Sequence, residues 1–201
     1  MTTPSVSPSP SPSDVDGLIR SLSDAVSAPD SESICAAIKT VLERFTRGDG
    51  VLDERWFKPV PGSYGRRLLY RDPQDRFTAV VMSWGPGQGT PIHDHDGLWC
   101  VECVCRGRIR VKSYDLVAEL GDDKVQFTPE GEVIAGVGEA GALIPPFEYH
   151  VIENPFEEAA ATLHVYGGEM DRCNVFHPAE GEADGVYQRV QRDLEYTFSQ
   201  S

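Results

Sequence analysis

From about Tyr64 onward the chain is a succession of short β-branched or aromatic runs separated by Gly, Pro and Asp. These runs include FTAVVMSW, WCVECVC, RIRVKSYDL and ATLHVYG. Runs of this length and composition, bounded by turn residues, are typical of strands joined by tight connections. The sequence therefore predicts a mainly β fold, with a small antiparallel barrel or sandwich over about 64–178.

Two amphipathic helices are predicted before the strands, over about 14–48. Apolar residues recur at helical spacing in two sets, one within 15–26 and the other within 34–45. Gly48 and Gly50 are expected to end the second helix. Because no long linker separates the helices from the strands, we expect the helices to pack on the barrel.

A chain of 201 residues without an internal repeat is long enough for one core, so we expect a single domain over residues 14–201. Residues 1–13, MTTPSVSPSPSPS, are rich in Ser and Pro and have almost nothing to bury. This composition favours a disordered arm over a packed element.

The charge and composition exclude several classes of protein. The chain has 18 Lys and Arg against 32 Asp and Glu, a net charge of -14, so nucleic acid is not an expected partner. No apolar run approaches the roughly 20 residues of a membrane span, and the N-terminus does not resemble a signal peptide. The five cysteines are odd in number and do not form the two CxxC pairs of a zinc site. We therefore expect a cytoplasmic protein with reduced thiols, monomeric or weakly oligomeric, and no membrane partner.

Three of the five histidines lie where a metal site would need them. His93 and His95 are two residues apart in PIHDHDG, and residues so spaced on a strand share one face. Both imidazoles can therefore point at one interior position, and His150 in PPFEYHVIEN is the third candidate ligand. An HxH pair alone could also be two solvent-facing histidines near a turn, so the surrounding residues decide.

The surroundings resemble the two cupin motifs. Gly87, the HxH pair, Cys100 and Gly107 fit the pattern G-x5-HxH-x4-C-x6-G. The second motif has a proline five residues before a histidine and an asparagine four residues after it, as Pro145 and Asn154 stand around the third histidine. The resemblance implies a cupin β-barrel, a double-stranded β-helix or jelly roll.

Cys100 stands where the first cupin motif usually has a glutamate. A set of two histidines and one carboxylate is therefore not the first expectation. Three neutral imidazoles leave Fe(II) with its full double positive charge, which favours capture of a thiolate and lowers the pKa of a bound thiol. Glu102, two residues further on, could reach the same interior face, so a carboxylate as fourth ligand stays open.

The segments WGPGQGTPIHDH, HVIEN and TLHVYG together resemble the thiol dioxygenases, which include cysteine dioxygenase and 3-mercaptopropionate dioxygenase. The resemblance runs from about Tyr64 to Phe176. It implies a non-haem Fe(II) cofactor bound by His93, His95 and His150, with a small-molecule thiol and O2 as reaction partners. Neutral imidazole is a fitting ligand for Fe(II).

TLHVYG resembles the family's Ser-His-Tyr relay, with Thr162 in place of serine, followed by His164 and Tyr166. Such a chain can hold the tyrosine hydroxyl toward the iron. Animal cysteine dioxygenases have, at the position of Cys100, a cysteine cross-linked to the relay tyrosine by a thioether. The resemblance thus implies a Cys100–Tyr166 cross-link as a hypothesis, and the alternative is a small buried thiol.

The carboxylate of a thiol substrate calls for a guanidinium, whose planar fork can donate two parallel hydrogen bonds. YGRRL resembles the Y-x-R-x-L of cysteine dioxygenases, which places Arg66 on the carboxylate and Tyr64 beside it. Mercaptopropionate enzymes usually have glutamine there, and an arginine at a position that aligns with Cys173. Both positions favour cysteine as the substrate. The run RFTAVVMSWGPGQGTPIHDH, however, is more similar to the mercaptopropionate group. Arg172 is a further candidate for binding the substrate carboxylate.

We therefore expect an enzyme, an Fe(II)-dependent dioxygenase that oxidises L-cysteine to the sulfinic acid, with 3-mercaptopropionate or another mercapto-acid as the alternative substrate. Two other classes stay open. One is a cupin isomerase or epimerase that uses a metal as Lewis acid. The other is a non-enzymatic sensor or binding module.

Overall fold

The computed structural model describes residues 14–48 and 52–197. The arm predicted for residues 1–13 lies outside these ranges. Two helices come first, α1 (Val15–Ala25) and α2 (Ser31–Arg47), and a short 3-10 helix follows at Glu54–Phe57. No helix in the described ranges has the length and apolar character needed to span a membrane.

Aspartates begin both α-helices. Asp14 accepts a hydrogen bond from the backbone N of Gly17 at 2.6 Å, and Asp30 accepts one from Ser33 at 2.8 Å. Each carboxylate satisfies a backbone donor that the first turn leaves free. Gly48 follows the last residue of α2, where the sequence predicted its end; Gly50 lies outside the described residues.

Eleven strands follow in the described part of the chain. They are β1 (Gly65–Arg71), β2 (Thr78–Trp84), β3 (Ile92–His93), β4 (Cys100–Arg106), β5 (Arg108–Gly121), β6 (Lys124–Gly136), β7 (Ala140–Leu143), β8 (His150–Glu153), β9 (Ala160–Tyr166), β10 (Arg172–Pro178) and β11 (Val186–Asp193). Five of them form a sheet in the order β1-β2-β9-β4-β7, and the other six close in the order β10-β11-β6-β5-β8-β3. The predicted mainly β barrel with helices packed on it is confirmed.

The barrel extends further than the sequence predicted. The expected limit was about residue 178, but β11 pairs with both β10 and β6 and so belongs to the ring of six strands. Its sequence, VYQRVQRD, is polar and its side chains are partly or fully exposed. Backbone pairing, rather than a buried apolar face, therefore keeps this strand in the sheet.

Alternation along the five-stranded sheet separates two cores. Val81 and Leu163 face outward and pack in one cluster with Leu22, Ile38 and Leu42 of the helices. In a second cluster, residues of this sheet, such as Val80 and Trp84, meet residues of the other strands, such as Ile109, Ile152 and Val175. The helices thus cover the outside of the sheet, and its inner face lines the interior of the barrel.

Candidate metal centre

Three histidines converge in the interior. His93 on β3 and His150 on β8 are directly opposite each other across the two strands, and His95 follows β3. The potential ligand atoms of the three imidazoles all lie within 4.8 Å of one another. His95 and His150 are fully buried and His93 is partly buried. The structure thus brings together the three residues that the sequence proposed as metal ligands.

Each imidazole is oriented by a hydrogen bond at Nδ1. The Nδ1 of His150 lies 2.9 Å from the carbonyl of Glu148, and the Nδ1 of His93 lies 3.3 Å from the carbonyl of Pro91. Carbonyl oxygens can only accept, so these Nδ1 atoms carry the hydrogen and each Nε2 keeps a free lone pair. The Glu148 carboxylate accepts two hydrogen bonds from His95, one from Nδ1 at 3.0 Å and one from the backbone N of His95 at 2.9 Å.

Sequence analysis did not single out Glu148. Its position in PPFEYH, two residues before a candidate ligand, was the signal available. Partners of this kind fix the tautomer and orientation of metal-binding histidines. Burial lowers the pKa of His93 and His95 well below the usual value, and the neighbouring His150 lowers both further. Both rings are therefore neutral near pH 7, as metal ligation requires.

Three buried side-chain atoms in residues 14–48 and 52–197 have no hydrogen-bond partner, and all three lie in this interior: Nη1 of Arg66, Oε2 of Glu102 and Nε2 of His150. Unpaired buried polar groups are costly and indicate a missing ligand or ion. The Nε2 of His150 belongs to the triad, and a divalent ion there would satisfy it. A donor set of three imidazole nitrogens fits Fe(II).

In the predicted relay of Thr162, His164 and Tyr166, the first two residues are joined by a hydrogen bond. The hydroxyl of Thr162 lies 2.7 Å from Nε2 of His164. The rings of His164 and Tyr166 instead stack side by side, with centroids 5.9 Å apart, because residues two apart on a strand present parallel side chains. In the described ranges the Tyr166 hydroxyl contacts the sulfur of Met82 at 3.9 Å.

Cys100 and Tyr166 are opposite each other on β4 and β9, and both are buried. Side chains that face each other across antiparallel strands come within contact distance. The Cys100 sulfur also lies 3.9 Å from Nδ1 of His164. This pairing is compatible with a thioether cross-link, which stays a hypothesis.

A cavity opens beside the triad. The predicted substrate residues Tyr64 and Arg66 line it, together with His93 and Tyr166. Arg192 on β11 also lines it, and sequence analysis missed this residue because the segment after 178 had no recognisable pattern. The cavity thus combines the metal position with two guanidinium groups.

Arg172, the third predicted substrate residue, points away from this cavity. Its side chain is 54% exposed, and its Nε donates to Asp96 at 2.9 Å. The reason is strand alternation: Cys173 faces the interior from β10, so its neighbour Arg172 must face solvent. Proximity in sequence to Cys173 could not reveal this.

The chain resembles known proteins over the barrel. The sequence model of the family described as "Cysteine dioxygenase type I" matches residues 56–179, more than half of the chain. Cysteine dioxygenase type 1 of Danio rerio is 25% identical over 123 residues, and that of Homo sapiens is 23% identical over 121 residues. In both cases the match covers 60% of this chain and 59% of the relative, so the chain spans less than two thirds of either protein.

Solved structures with a similar shape include the TT1209 protein from Thermus thermophilus, with a TM-score of 0.46 and 19% identity over 59% of this chain and 96% of that chain. A cupin 2 conserved barrel domain protein from Rhodopseudomonas palustris has a TM-score of 0.44 and 16% identity, covering 61% and 75%. The family assignment depends on the sequence match to residues 56–179, which includes all three histidines. This chain belongs to the cysteine dioxygenase type I family, within the cupin thiol dioxygenases.

Proposed function

We propose that this protein is an Fe(II)-dependent dioxygenase that oxidises the thiol of a small carboxylated thiol to the sulfinic acid. L-cysteine is the first candidate substrate and 3-mercaptopropionate the alternative. The observation that carries the proposal is the combination, in one cavity, of the three-histidine cluster with a buried guanidinium whose Nη1 has no partner. Such a pair of features suits a molecule with a metal-binding sulfur at one end and a carboxylate at the other.

Arg66 would hold the carboxylate. Its Nη2 donates to the carbonyl of Met170, and its guanidinium lies 4.6 Å from the centre of the Tyr196 ring. These contacts fix the plane of the guanidinium and leave Nη1 for a ligand. An arginine already held in place loses little side-chain entropy when the substrate binds.

His93, His95 and His150 would hold the iron, which supplies the redox-active centre that allows a thiolate and O2 to react, a slow reaction in water. The protein contributes orientation: Arg66 at the carboxylate and the triad at the sulfur fix both ends of the substrate. The apolar lining, which includes Met82 and Val175, excludes water from the reacting atoms.

Tyr166 would donate a hydrogen bond to the reacting oxygen or sulfur atoms. Burial raises the pKa of its hydroxyl well above the usual value, so the group stays protonated at neutral pH. Both oxygen atoms of O2 end on the sulfur in this reaction, R-SH + O2 giving R-SO2H. No external reductant is therefore required.

The experiment is oxygen uptake by the Fe(II)-reconstituted protein with cysteine, 3-mercaptopropionate, mercaptosuccinate and cysteamine in parallel. We expect uptake and sulfinate formation in equal amounts with carboxylated thiols, and much slower turnover of cysteamine, which has no carboxylate. A His95→Ala variant is the control for free iron in solution. Absence of thiol-dependent uptake with all four compounds would overturn the proposal.

A further inference from the structure

Arg192 on β11 lies at the entrance of the cavity beside the triad. It is paired with Cys173 of β10, and side chains directly opposite each other on antiparallel strands share one face. Cys173 is buried and lines the cavity, so the same face of β11 presents Arg192 to the cavity. Arg192 itself is exposed. A residue that is exposed and also lines a cavity belongs to its entrance.

The guanidinium of Arg192 has no acidic partner. The other two arginines of β10 and β11, Arg172 and Arg189, pair with the carboxylates of Asp96 and Glu119. With the residues that the structure describes, Arg192 forms neither an ion pair nor a side-chain hydrogen bond. The chain has 32 acidic residues against 18 Lys and Arg, so carboxylates are abundant. An unpaired guanidinium at a cavity entrance in such a chain is available to an anionic ligand.

The lining of the cavity has positive charges and no negative ones. Arg66 and Arg192 are its permanently charged side chains, and no Asp or Glu of residues 14–48 and 52–197 lines it. A metal ion at the triad would add further positive charge. Such a cavity attracts a ligand with several negative charges. It also offers no carboxylate to the ammonium group of an amino acid.

Both guanidiniums act on the same part of the cavity. Burial raises the pKa of the Tyr64 hydroxyl, and the positive charges of Arg192 and Arg66 act in the opposite direction. Burial also raises the pKa of the Cys173 thiol, to about 11, and the same two arginines again oppose this rise. Coulomb interactions weaken with distance, so both guanidiniums lie near these two side chains. A single small molecule there is within reach of both.

We propose that Arg192 determines specificity by binding a second carboxylate, and that the substrate class is a thiol with two carboxylates, such as mercaptosuccinate. This rests on the proposed function for the reaction and for Arg66 as the site of the first carboxylate. Nη1 of Arg66, which has no partner, would donate to one carboxylate and Arg192 to the other, with the sulfur at the triad. Cysteine, with one carboxylate and an amino group, would be the weaker ligand.

The test compares mercaptosuccinate with 3-mercaptopropionate, which differ only by one carboxylate on the carbon that bears the sulfur. Calorimetry without O2 measures the Kd of each thiol for the Fe(II)-loaded full-length protein, because no turnover occurs under these conditions. In the wild type we expect mercaptosuccinate to have a Kd about 10-fold or more below that of 3-mercaptopropionate. In Arg192→Gln the two Kd values should lie within about 2-fold of each other, with that of 3-mercaptopropionate nearly unchanged.

Arg189→Gln is the matched control, because it removes one positive charge from the same strand at a position that does not line the cavity. It should keep the wild-type ratio of the two Kd values. Arg192→Ala is a second variant and should lose the preference as fully as Arg192→Gln, and circular dichroism establishes that each variant is folded.

Three results would overturn the proposal. They are equal Kd values of the two thiols in the wild type, an unchanged ratio in the folded Arg192 variants, and an equal loss of preference in Arg189→Gln. An unchanged ratio would place the second carboxylate elsewhere, and a loss in Arg189→Gln would indicate net charge and not a contact. Absence of thiol-dependent oxygen uptake in the wild type would instead overturn the proposed function, since the comparison of Kd values does not depend on turnover.

Discussion

Two neighbouring arginines on β1 have different environments. Arg67 donates to Oγ of Ser83 and to the carbonyl of Lys58, each at 2.7 Å, so its hydrogen bonds stabilise the fold. Arg66 faces the cavity and keeps Nη1 free. Strand alternation makes one residue structural and leaves the other for a ligand.

Replacing Arg66 by glutamine should raise KM for cysteine and 3-mercaptopropionate about 10- to 100-fold, because a charge-assisted hydrogen bond to the carboxylate is lost. Cysteamine has no carboxylate, so its KM should change little. Oxygen-electrode kinetics with each thiol measure both effects. Arg172→Gln is the matched control and should leave all KM values near those of the wild type. An equal rise in KM for cysteamine would remove Arg66 from the carboxylate site.

Among the individual site residues, the sequence predicted those whose place is set by strand periodicity or by motif spacing. The spacing of the two cupin motifs singled out His93, His95 and His150, and the three converge although β3 ends at His93 and His95 lies in the loop after it. Glu148 and Arg192 reach the site through contacts that depend on the tertiary fold, and local patterns do not encode those. Arg172 was proposed from its place beside Cys173, but neighbours on a strand face opposite ways.

Among the secondary-structure elements, the turn between β1 and β2 depends on Asp72. This buried carboxylate accepts two hydrogen bonds from the Arg76 guanidinium, at 2.8 and 2.9 Å, and longer ones from the backbone N of Gln74 and Arg76. The side-chain hydrogen bonds of Arg76 lower the pKa of Asp72 to about 2. The turn should therefore be stabilised by the ionised carboxylate.

Because the pKa of Asp72 is lower in the folded state, its stabilisation is complete above the unfolded pKa of about 4 and is lost as the pH falls toward 2. Asp72→Asn should therefore lower the free energy of unfolding by about 1–2 kcal/mol at pH 7, and this difference should shrink between pH 4 and pH 2. Urea unfolding at several pH values measures it. Asp75→Asn in the same turn is the control, since Asp75 is exposed. A loss in Asp72→Asn that does not vary with pH would contradict the explanation.

Two glycines of the first cupin motif have positive φ but different surroundings. Gly87 has a φ of 73° and open space where a Cβ would point. Gly107, between β4 and β5, has a φ of 67°, and a Cβ there would lie 2.8 Å from the carbonyl oxygen of Ala159. The first glycine is required for its conformation alone, and the second also for close packing of the backbone.

Gly87→Ala should therefore cost about 1–2 kcal/mol of stability from backbone strain, and Gly107→Ala about 1–3 kcal/mol more, because the neighbouring strand must move. Denaturant unfolding of both variants measures the difference. Since the two substitutions are chemically identical, the comparison isolates the steric contribution. Equal losses of stability in the two variants would indicate that β9 and the loop before it can shift without a cost in free energy.

Across the whole molecule, the last described segment returns to the cavity. Leu194 lines the cavity, Tyr196 packs against the Arg66 guanidinium, and Thr197 hydrogen-bonds the backbone of Arg66 through its own N and Oγ1. The metal triad is held independently, by the pairing of β3 with β8 and by Glu148. The proposed substrate side and the proposed metal side of the site thus depend on different parts of the chain.

Truncation after Asp193 should separate these two functions. Without Tyr196 and Thr197, Arg66 loses the ring contact to its guanidinium and the hydrogen bonds of Thr197 to its backbone, and only the hydrogen bond to Met170 still holds the guanidinium. KM for carboxylated thiols should therefore rise about 10-fold or more. Mn(II) affinity should stay within about 2-fold of the wild-type value, because the ligands and their partners lie outside the deleted segment. Oxygen-uptake kinetics and Mn(II) titration measure the two quantities, and Tyr196→Ala in the full-length chain tests the ring contact alone. Loss of metal binding together with the rise in KM would show that the C-terminal segment supports the whole barrel and not the substrate side specifically.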